Sequence, residues 1–291
     1  MLNLEGRVAV VFGLANKRSI AWAIAQKLHA AGVNLAISYQ NERLRSDAED
    51  LVAELPGAQL FQCDVSADAD IDRVFGELKE RYGKLNILVH SIGFAPPDAL
   101  QNPFTETSRE SFRIAHDVSV YSLIALARGA APLMTDGGSI ITLTYYGAEK
   151  VFPRYNVMGV AKAALEASVR YLAADLGKKN IRVNAISAGP IRTLAARGIG
   201  NLSDMMKAHA DRAPLGRNVE QAEVGGAAVY LASDLSGAVY DYLSATAVGG
   251  LPQGFSGSRT QSWTVSGYPL MGIPRHVDQH SELMSITIPK S

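Results

Sequence analysis

Tyr155 and, seven positions later, Lys162 are the residues whose types and spacing best suit proton chemistry, and both lie in the stretch YYGAEKVFPRYNVMGVAK, residues 145–162. On a helix, seven steps of about 100° nearly close two turns, so the two side chains share a face about 10 Å apart along the axis and can touch one bound molecule. A free phenol titrates near pH ~10, and a neighbouring ammonium stabilises the tyrosinate left by proton transfer. The pair can therefore serve an oxygen that gains negative charge. On this stretch alone a plainer reading stands beside it, in which Tyr155 caps a core helix and Lys162 is solvated.

The elements that would position such a pair alternate along the chain. Apolar, β-branched runs at 7–12, 33–39, 59–63, 85–90, 139–144 and 181–186 read as strands, and helical patterns at 19–31, 42–54, 68–82, 111–134 and 155–176 follow them. This βα alternation predicts an α/β fold: a single Rossmann-like, doubly wound parallel sheet with helices on both faces. Ligands of that architecture sit beyond the carboxyl ends of the strands, where strand order reverses.

Five strand ends carry suitable residues. After the first strand, GLANKRSIA lacks the G-x-G-x-x-G pattern, but Gly13 permits a tight turn, Ser19 is small, and the helix entered at Ile20 offers its positive end to a pyrophosphate. Asp64 and Val65 can meet an adenine, and Ser91, Ile92 and Gly93 leave backbone open beside a ribose. The alternatives are a helix cap for Asp64 and a simple turn for Gly93. In SAGPIRT the Ile191 amide and Thr193 hydroxyl can bind a carboxamide. The second strand ends at Gln40 rather than at an acidic residue; Gln40 can bond a ribose 2′-hydroxyl, while Arg43 and Arg45 fall on a helix surface, so NADH is expected ahead of NADPH.

Composition narrows the class. Acidic and basic residues balance at 28 each, which gives no general pull toward nucleic acid. No apolar run approaches the roughly 18 residues of a membrane span. The lone Cys63 excludes an intrachain disulfide and a cysteine-based metal cluster, and no metal is expected. The start MLNLEGRVAVVF runs straight into a strand without a leader pattern, so a cytoplasmic address is expected. No linker interrupts the first 235 residues; one domain, 1–250, is expected, followed by an atypical Gly/Pro/Ser-rich tail, 251–291.

These residues resemble the divergent short-chain dehydrogenase/reductases that reduce enoyl-acyl-carrier-protein in bacterial fatty-acid synthesis. The resemblance covers residues 2–238 and rests on GLANKRSIAWAIA, CDV at 63–65, HSIGFAP at 90–96, YNVMGVAKAALEASVRYLAADLG at 155–177 and RVNAISAGPIRTLAA at 182–196. Ordinary superfamily members place lysine four residues after the tyrosine. Here that position is Gly159 and lysine arrives at Lys162, as in the enoyl reductases, which also keep a second tyrosine ten residues earlier, matched by Tyr145.

The resemblance implies hydride transfer from NADH to the β-carbon of a trans-2-enoyl thioester on acyl-carrier protein, with Tyr155 facing the thioester oxygen. It implies that Lys162 holds the nicotinamide ribose, that Gly93, Ala95 and Tyr145 line the substrate channel, and that the chain forms a homotetramer. The segment 194–214 reads as a substrate lid, with Arg197, Lys207 or Arg212 left to dock the acidic carrier. Beyond Ala238 the likeness ends, although 239–248 retains enough β-branched and aromatic residues for an edge strand. A 3-oxoacyl or other carbonyl reductase of the same fold, or a nucleotide-binding regulator without catalysis, stand as alternatives.

Overall fold

A computed structural model of the chain describes residues 4–193, 196, 202–239 and 241–244. The described residues belong to one compact unit; the expected tail, 251–291, lies outside the described residues.

Five of the apolar runs form strands buried on both faces, while the run at 59–62, at the sheet edge, is only partly buried. β1 (Val8–Phe12), β2 (Asn34–Tyr39), β3 (Gln59–Gln62), β4 (Ile87–His90), β5 (Gly138–Thr144), β6 (Ile181–Ser187) and β7 (Asp241–Ser244) build one sheet in the order β3-β2-β1-β4-β5-β6-β7. Every neighbouring pair is parallel. β7 lies within the edge strand expected at 239–248, and it pairs with β6 from Asn184↔Asp241 to Ser187↔Ser244. The order reverses between β1 and β4, which sets the ligand crevice at their carboxyl ends.

Period-two alternation divides the sheet's side chains between two cores. Val8, Val10 and Phe12 of β1 join Leu88, Ile140 and Val183 under α3 (Asp68–Tyr82), α6 (Ser122–Ala130) and α7 (Asn156–Leu176). Ala9 and Val11 point the other way, with Val89, Ile141 and Ile186, under α1 (Ile20–Ala30), α2 (Arg45–Val52) and α9 (Gln221–Ala232).

Three departures from the periodic reading have local causes. The pattern at 42–54 begins as a 3₁₀ turn, Glu42–Leu44, before α2. The long helix expected at 111–134 is α5 (Arg109–His116), a π segment Asp117–Tyr121, α6, and a closing 3₁₀ turn. In the π segment the Ser119 hydroxyl accepts from Phe94 N (3.0 Å) and donates to Phe94 O (3.1 Å), so the extra residue is fixed by the loop after β4. The sequence reading contained neither α9 nor the single turn α4 (Asp98–Gln101). α9 contains Gly225 and Gly226, which disfavour a helix, yet a Cβ at Gly225 would stand 2.7 Å from Ala23 O of α1, so this crossing requires glycine. A Glu220/Glu223 capping box starts the helix.

Gly225→Val should therefore cost about 1–3 kcal/mol through overpacking. Urea unfolding measures it, and a loss smaller than about 0.5 kcal/mol would mean that α1 and α9 separate freely.

Candidate active site

The first loop is folded by a hydroxyl rather than by repeated glycines. Ser19 Oγ accepts from Ala15 N (3.1 Å) and Asn16 N (3.0 Å), Asn16 Oδ1 accepts from Arg18 N (2.8 Å), and Gln221 of α9 donates to Arg18 O. The Ser19 side chain makes no cap bond to α1; its carbonyl accepts from Trp22 N (3.1 Å), which leaves the Ile20 and Ala21 N–H groups at the helix start without an intrahelical partner. Gly13 has φ +102°, and a Cβ there would lie 2.1 Å from Ser91 O. The ends of β1 and β4 thus meet backbone to backbone at the switch point.

At the next ends, the Gln40 amide donates to Asp64 Oδ2 (3.4 Å), and Ser66 N and Oγ donate to Asp64 Oδ1 (3.0 and 2.8 Å). Burial pushes the Asp64 carboxyl up, but these hydrogen bonds outweigh it and hold the group below its ordinary range. Val65 is buried in the first core. Arg43 is exposed, and Arg45 is paired with Glu42 and Glu49, as expected for a helix surface.

After β4, His90 is fully buried between Thr142 Oγ1 (2.8 Å from Nδ1) and Ser122 Oγ (2.9 Å from Nε2). Ser122 gives its own proton to Val118 O (2.7 Å), so Nε2 carries the imidazole hydrogen and Nδ1 accepts from Thr142. Burial, then Lys162, pushes His90 down to about 3, leaving it neutral. Ser91 and Ile92 are half-buried. Gly93 is exposed, and a Cβ there would stand 3.5 Å from Lys162 Nζ. Ala95 packs in a third core with Tyr155, Met158 and Val157, against which Tyr145 and Phe152 lie.

Tyr155 is the residue before α7 (φ −92°, ψ −30°), and the left-handed Asn156 (φ 39°) that follows it breaks the regular helical path from Tyr155 to Lys162 at its first step. Both side chains are buried, with 8% and 7% exposure, which removes the reading of Lys162 as a solvated lysine. Lys162 Nζ donates to Leu143 O of β5 at 2.7 Å. The rings of Tyr145 and Tyr155 meet edge to face at 5.0 Å. Tyr155 is flanked by two left-handed residues, Arg154 (φ 63°) and Asn156 (φ 39°). Asn156 Nδ2 holds its turn by donating to Asn102 O (2.9 Å) and Leu100 O (3.3 Å).

Two glycines explain the tyrosine–lysine spacing. A Cβ at Gly159 would lie 2.9 Å from Gly147 O, so the position four after Tyr155 is closed to a side chain; beyond it Ala161 and Lys162 are the next buried positions of α7. A Cβ at Gly147 would fall 2.5 Å from the Tyr155 ring and 3.0 Å from that of Tyr145, so only glycine fits beside the two tyrosines. Gly147, Ser119 and Gln221 went unread in the sequence. Gly147, directly after two tyrosines, carried the clearest signal.

Burial, then Tyr145 and Glu166, pushes the Tyr155 phenol above its ordinary value, and burial pushes Tyr145 up to about 12. Lys162 is pushed down to about 8 by burial, with Glu166 opposing. In the folded protein Tyr155 therefore stays a phenol, a hydrogen-bond donor at neutral pH, rather than a tyrosinate.

At the end of β6, Ile191 is half-buried, Thr193 N donates to Ile191 O (2.8 Å), and Thr193 Oγ1 accepts from Ala196 N (3.1 Å) and keeps its own proton to donate. The expected lid is in part the helix α8 (Leu202–Arg212), while residues 194, 195 and 197–201 lie outside the described residues. The His209 ring stands 3.2 Å from where a Gly189 Cβ would be, which sets α8 against the 188–193 loop.

A sheet of this order with a buried tyrosine–lysine pair at its carboxyl edge defines a short-chain dehydrogenase/reductase. The profile described as enoyl-(acyl carrier protein) reductase matches residues 13–240, and the chain belongs to that family. An enoyl-(acyl-carrier-protein) reductase (NADH) 1 of Rhizobium meliloti (strain 1021) is 53% identical over 236 residues, 81% of this chain and 87% of that protein. An enoyl-(acyl-carrier-protein) reductase (NADPH) of Staphylococcus aureus (strain MRSA252) is 51% identical over 241 residues, 82% of this chain and 94% of that one. The crystal structure of the Anaplasma phagocytophilum reductase in complex with NAD superposes with a TM-score of 0.80 at 45% identity, covering 83% of this chain and 92% of that one.

Gly147→Ala should displace the Tyr155 ring and lower kcat by about 10- to 100-fold, the usual cost of misplacing a reacting group by about 1 Å. NADH affinity, measured by fluorescence titration, should change little; wild-type kcat in this variant would show that the ring is not fixed by this contact.

Proposed function

We propose that this chain is an NADH-dependent enoyl-acyl-carrier-protein reductase of fatty-acid synthesis, acting on trans-2-enoyl thioesters. The observation that carries the reading is Lys162 buried seven residues after Tyr155, with the earlier position closed by the Gly159–Gly147 contact. When bound, the dihydronicotinamide supplies a hydride to the β-carbon. Gly13, Ser19, Ile20, Gln40, Asp64, Val65, Ser91, Ile92, Gly93, Lys162, Ile191 and Thr193 hold the cofactor. The unbonded first amides of α1, Ile20 and Ala21, and the room at Gly93 beside the Lys162 ammonium support that fit.

Tyr155 donates a hydrogen bond to the thioester oxygen, and the bond strengthens as negative charge develops there. Such differential stabilisation is worth about 10² to 10³ in rate, or roughly 3 to 4 kcal/mol. Lys162 favours the same charge electrostatically while holding the ribose. Gly93, Ala95 and Tyr145 line the acyl path, and α8 serves as its lid. On α8, Lys207 and Arg212 are exposed and suited to an acidic carrier; Arg197 lies outside the described residues.

The enzyme unit is 1–250, and the family match at 13–240 and the compact unit Met1–Ser256 support that boundary. A homotetramer is supported by exposed apolar side chains on neighbouring helices, with Tyr121 41%, Ile124 38%, Val160 40% and Tyr171 81% exposed. Among the described residues no helix is long and apolar enough to cross a membrane, in keeping with a cytoplasmic enzyme.

Loss of NADH absorbance with a crotonyl thioester but not with a 3-oxoacyl thioester tests the reading; the reverse selects a carbonyl reductase, and binding without turnover a regulator. In that assay Tyr155→Phe should lose two to three orders of magnitude in kcat with a smaller change in NADH affinity, whereas Lys162→Ala loses cofactor binding as well. Wild-type turnover by Tyr155→Phe, with hydride transfer rate-limiting, would remove Tyr155 from the chemistry.

Cofactor preference follows from the end of β2. Gln40 is bonded to the anionic Asp64, so a 2′-phosphate would meet negative charge without a cation at that strand end. NADH should show the higher kcat/KM, and Gln40→Arg should narrow the gap. A native preference for NADPH would overturn the argument.

A further inference from the structure

Glu166 lies one turn beyond Lys162 on α7, and the last two residues of β5 hold the two side chains together. Leu143 O accepts from Lys162 Nζ at 2.7 Å, and Thr144 Oγ1 donates to Glu166 Oε1 at 2.7 Å. We infer that Glu166, fixed by the Thr144 hydroxyl, is a positioning residue that supplies the counter-charge for the buried Lys162 ammonium and so sets the alkaline limit of cofactor binding. The inference rests on the proposed role of Lys162 in holding the cofactor.

The surroundings of the lysine make Glu166 the source of that charge. Among the described side chains, Glu166 is the charged group that acts on Lys162, while His90 from β4 stays neutral beside it and Tyr155, just before α7, stays a phenol. Burial favours the uncharged amine, the Leu143 carbonyl offers a dipole only, and Glu166 acts through space to keep the proton on Nζ. Glu166 is half-buried. Burial pushes its carboxyl up, the Thr144 hydroxyl draws it down, Glu149 pushes it up, and Arg170 and Lys162 draw it down. Thr144 therefore both aims the carboxylate and favours its charged form.

Loss of the counter-charge lowers the pH at which Lys162 gives up its proton. The test is NADH affinity by fluorescence titration over about pH 6 to 10, a readout of free enzyme that needs no acyl substrate. Glu166→Gln should move the alkaline loss of affinity downward by about half a pH unit or more, Thr144→Val should move it the same way by less, and Glu166→Asp should recover part of the shift. Thermal melting checks that each variant is folded, and Thr144→Val serves as the test if Glu166→Gln does not fold. A folded variant whose profile superposes on the wild type, or moves upward, would overturn the inference. If the wild-type chain binds NADH but fails to reduce enoyl thioesters, the functional reading fails while these profiles still decide the role of Glu166.

Discussion

The buried ammonium of Lys162 is the constraint around which the site is built. A charge taken out of water must find a partner or lose its proton, and here the partners come from the carboxyl end of β5 and from the next turn of its own helix. That requirement ties α7 to β5 at a particular height. Tyr155 is thereby set at the mouth of the sheet, and Gly93 lies against the ammonium at the end of β4. The left-handed residues on either side of Tyr155 belong to the same arrangement: the chain must turn sharply between Phe152 and the start of α7 to bring the phenol in, and the Asn156 amide holds that turn.

The other half of the site obeys a different rule. A dinucleotide must lie close to the backbone, which a glycine-rich loop usually allows by having no side chains in the way. This chain keeps glycine only where β1 and β4 touch, at Gly13, and shapes the rest of the loop with one serine hydroxyl that gathers two amides. Such a loop is stiffer than a run of glycines, since fewer unfolded conformations compete with it. Gln221, reaching across from α9, ties it to an element some 200 residues away.

These devices explain what could be read directly. Parallel strands buried on both faces are continuous apolar runs, and five of them were legible together with the partly buried edge run at 59–62, as was α3 with its acidic first turn and basic last turn. The tyrosine–lysine spacing was legible too, as was the marking of successive strand ends. What escaped depends on contacts distant in the chain. Nothing local to Ser119 announces a π segment, because its cause is the backbone of Phe94. α9 reads poorly as a helix because the glycine that weakens it serves its packing on α1. Thr144 reads as one more β-branched strand residue until its hydroxyl is seen bonded to Glu166.

The lysine has an energetic consequence for the whole molecule. Its pKa is depressed from 10.5 to about 8 in the folded protein, so between those values the unfolded chain binds a proton that the folded chain does not. Stability therefore rises with pH through that window, and below it the group opposes folding by a few kcal/mol, an order-of-magnitude figure at roughly 1.4 kcal/mol per pH unit. The cofactor binding and catalysis proposed for Lys162 require the opposite condition, an ammonium that keeps its proton. A neutral residue of similar volume would suit the fold better and the proposed chemistry worse. The carboxylate of Glu166 reduces that conflict without removing it, since a carboxylate pressed directly against Nζ would favour the charge more but would occupy donors that the ribose needs. A counter-charge held one turn away and acting through space favours the charged ammonium beside Gly93.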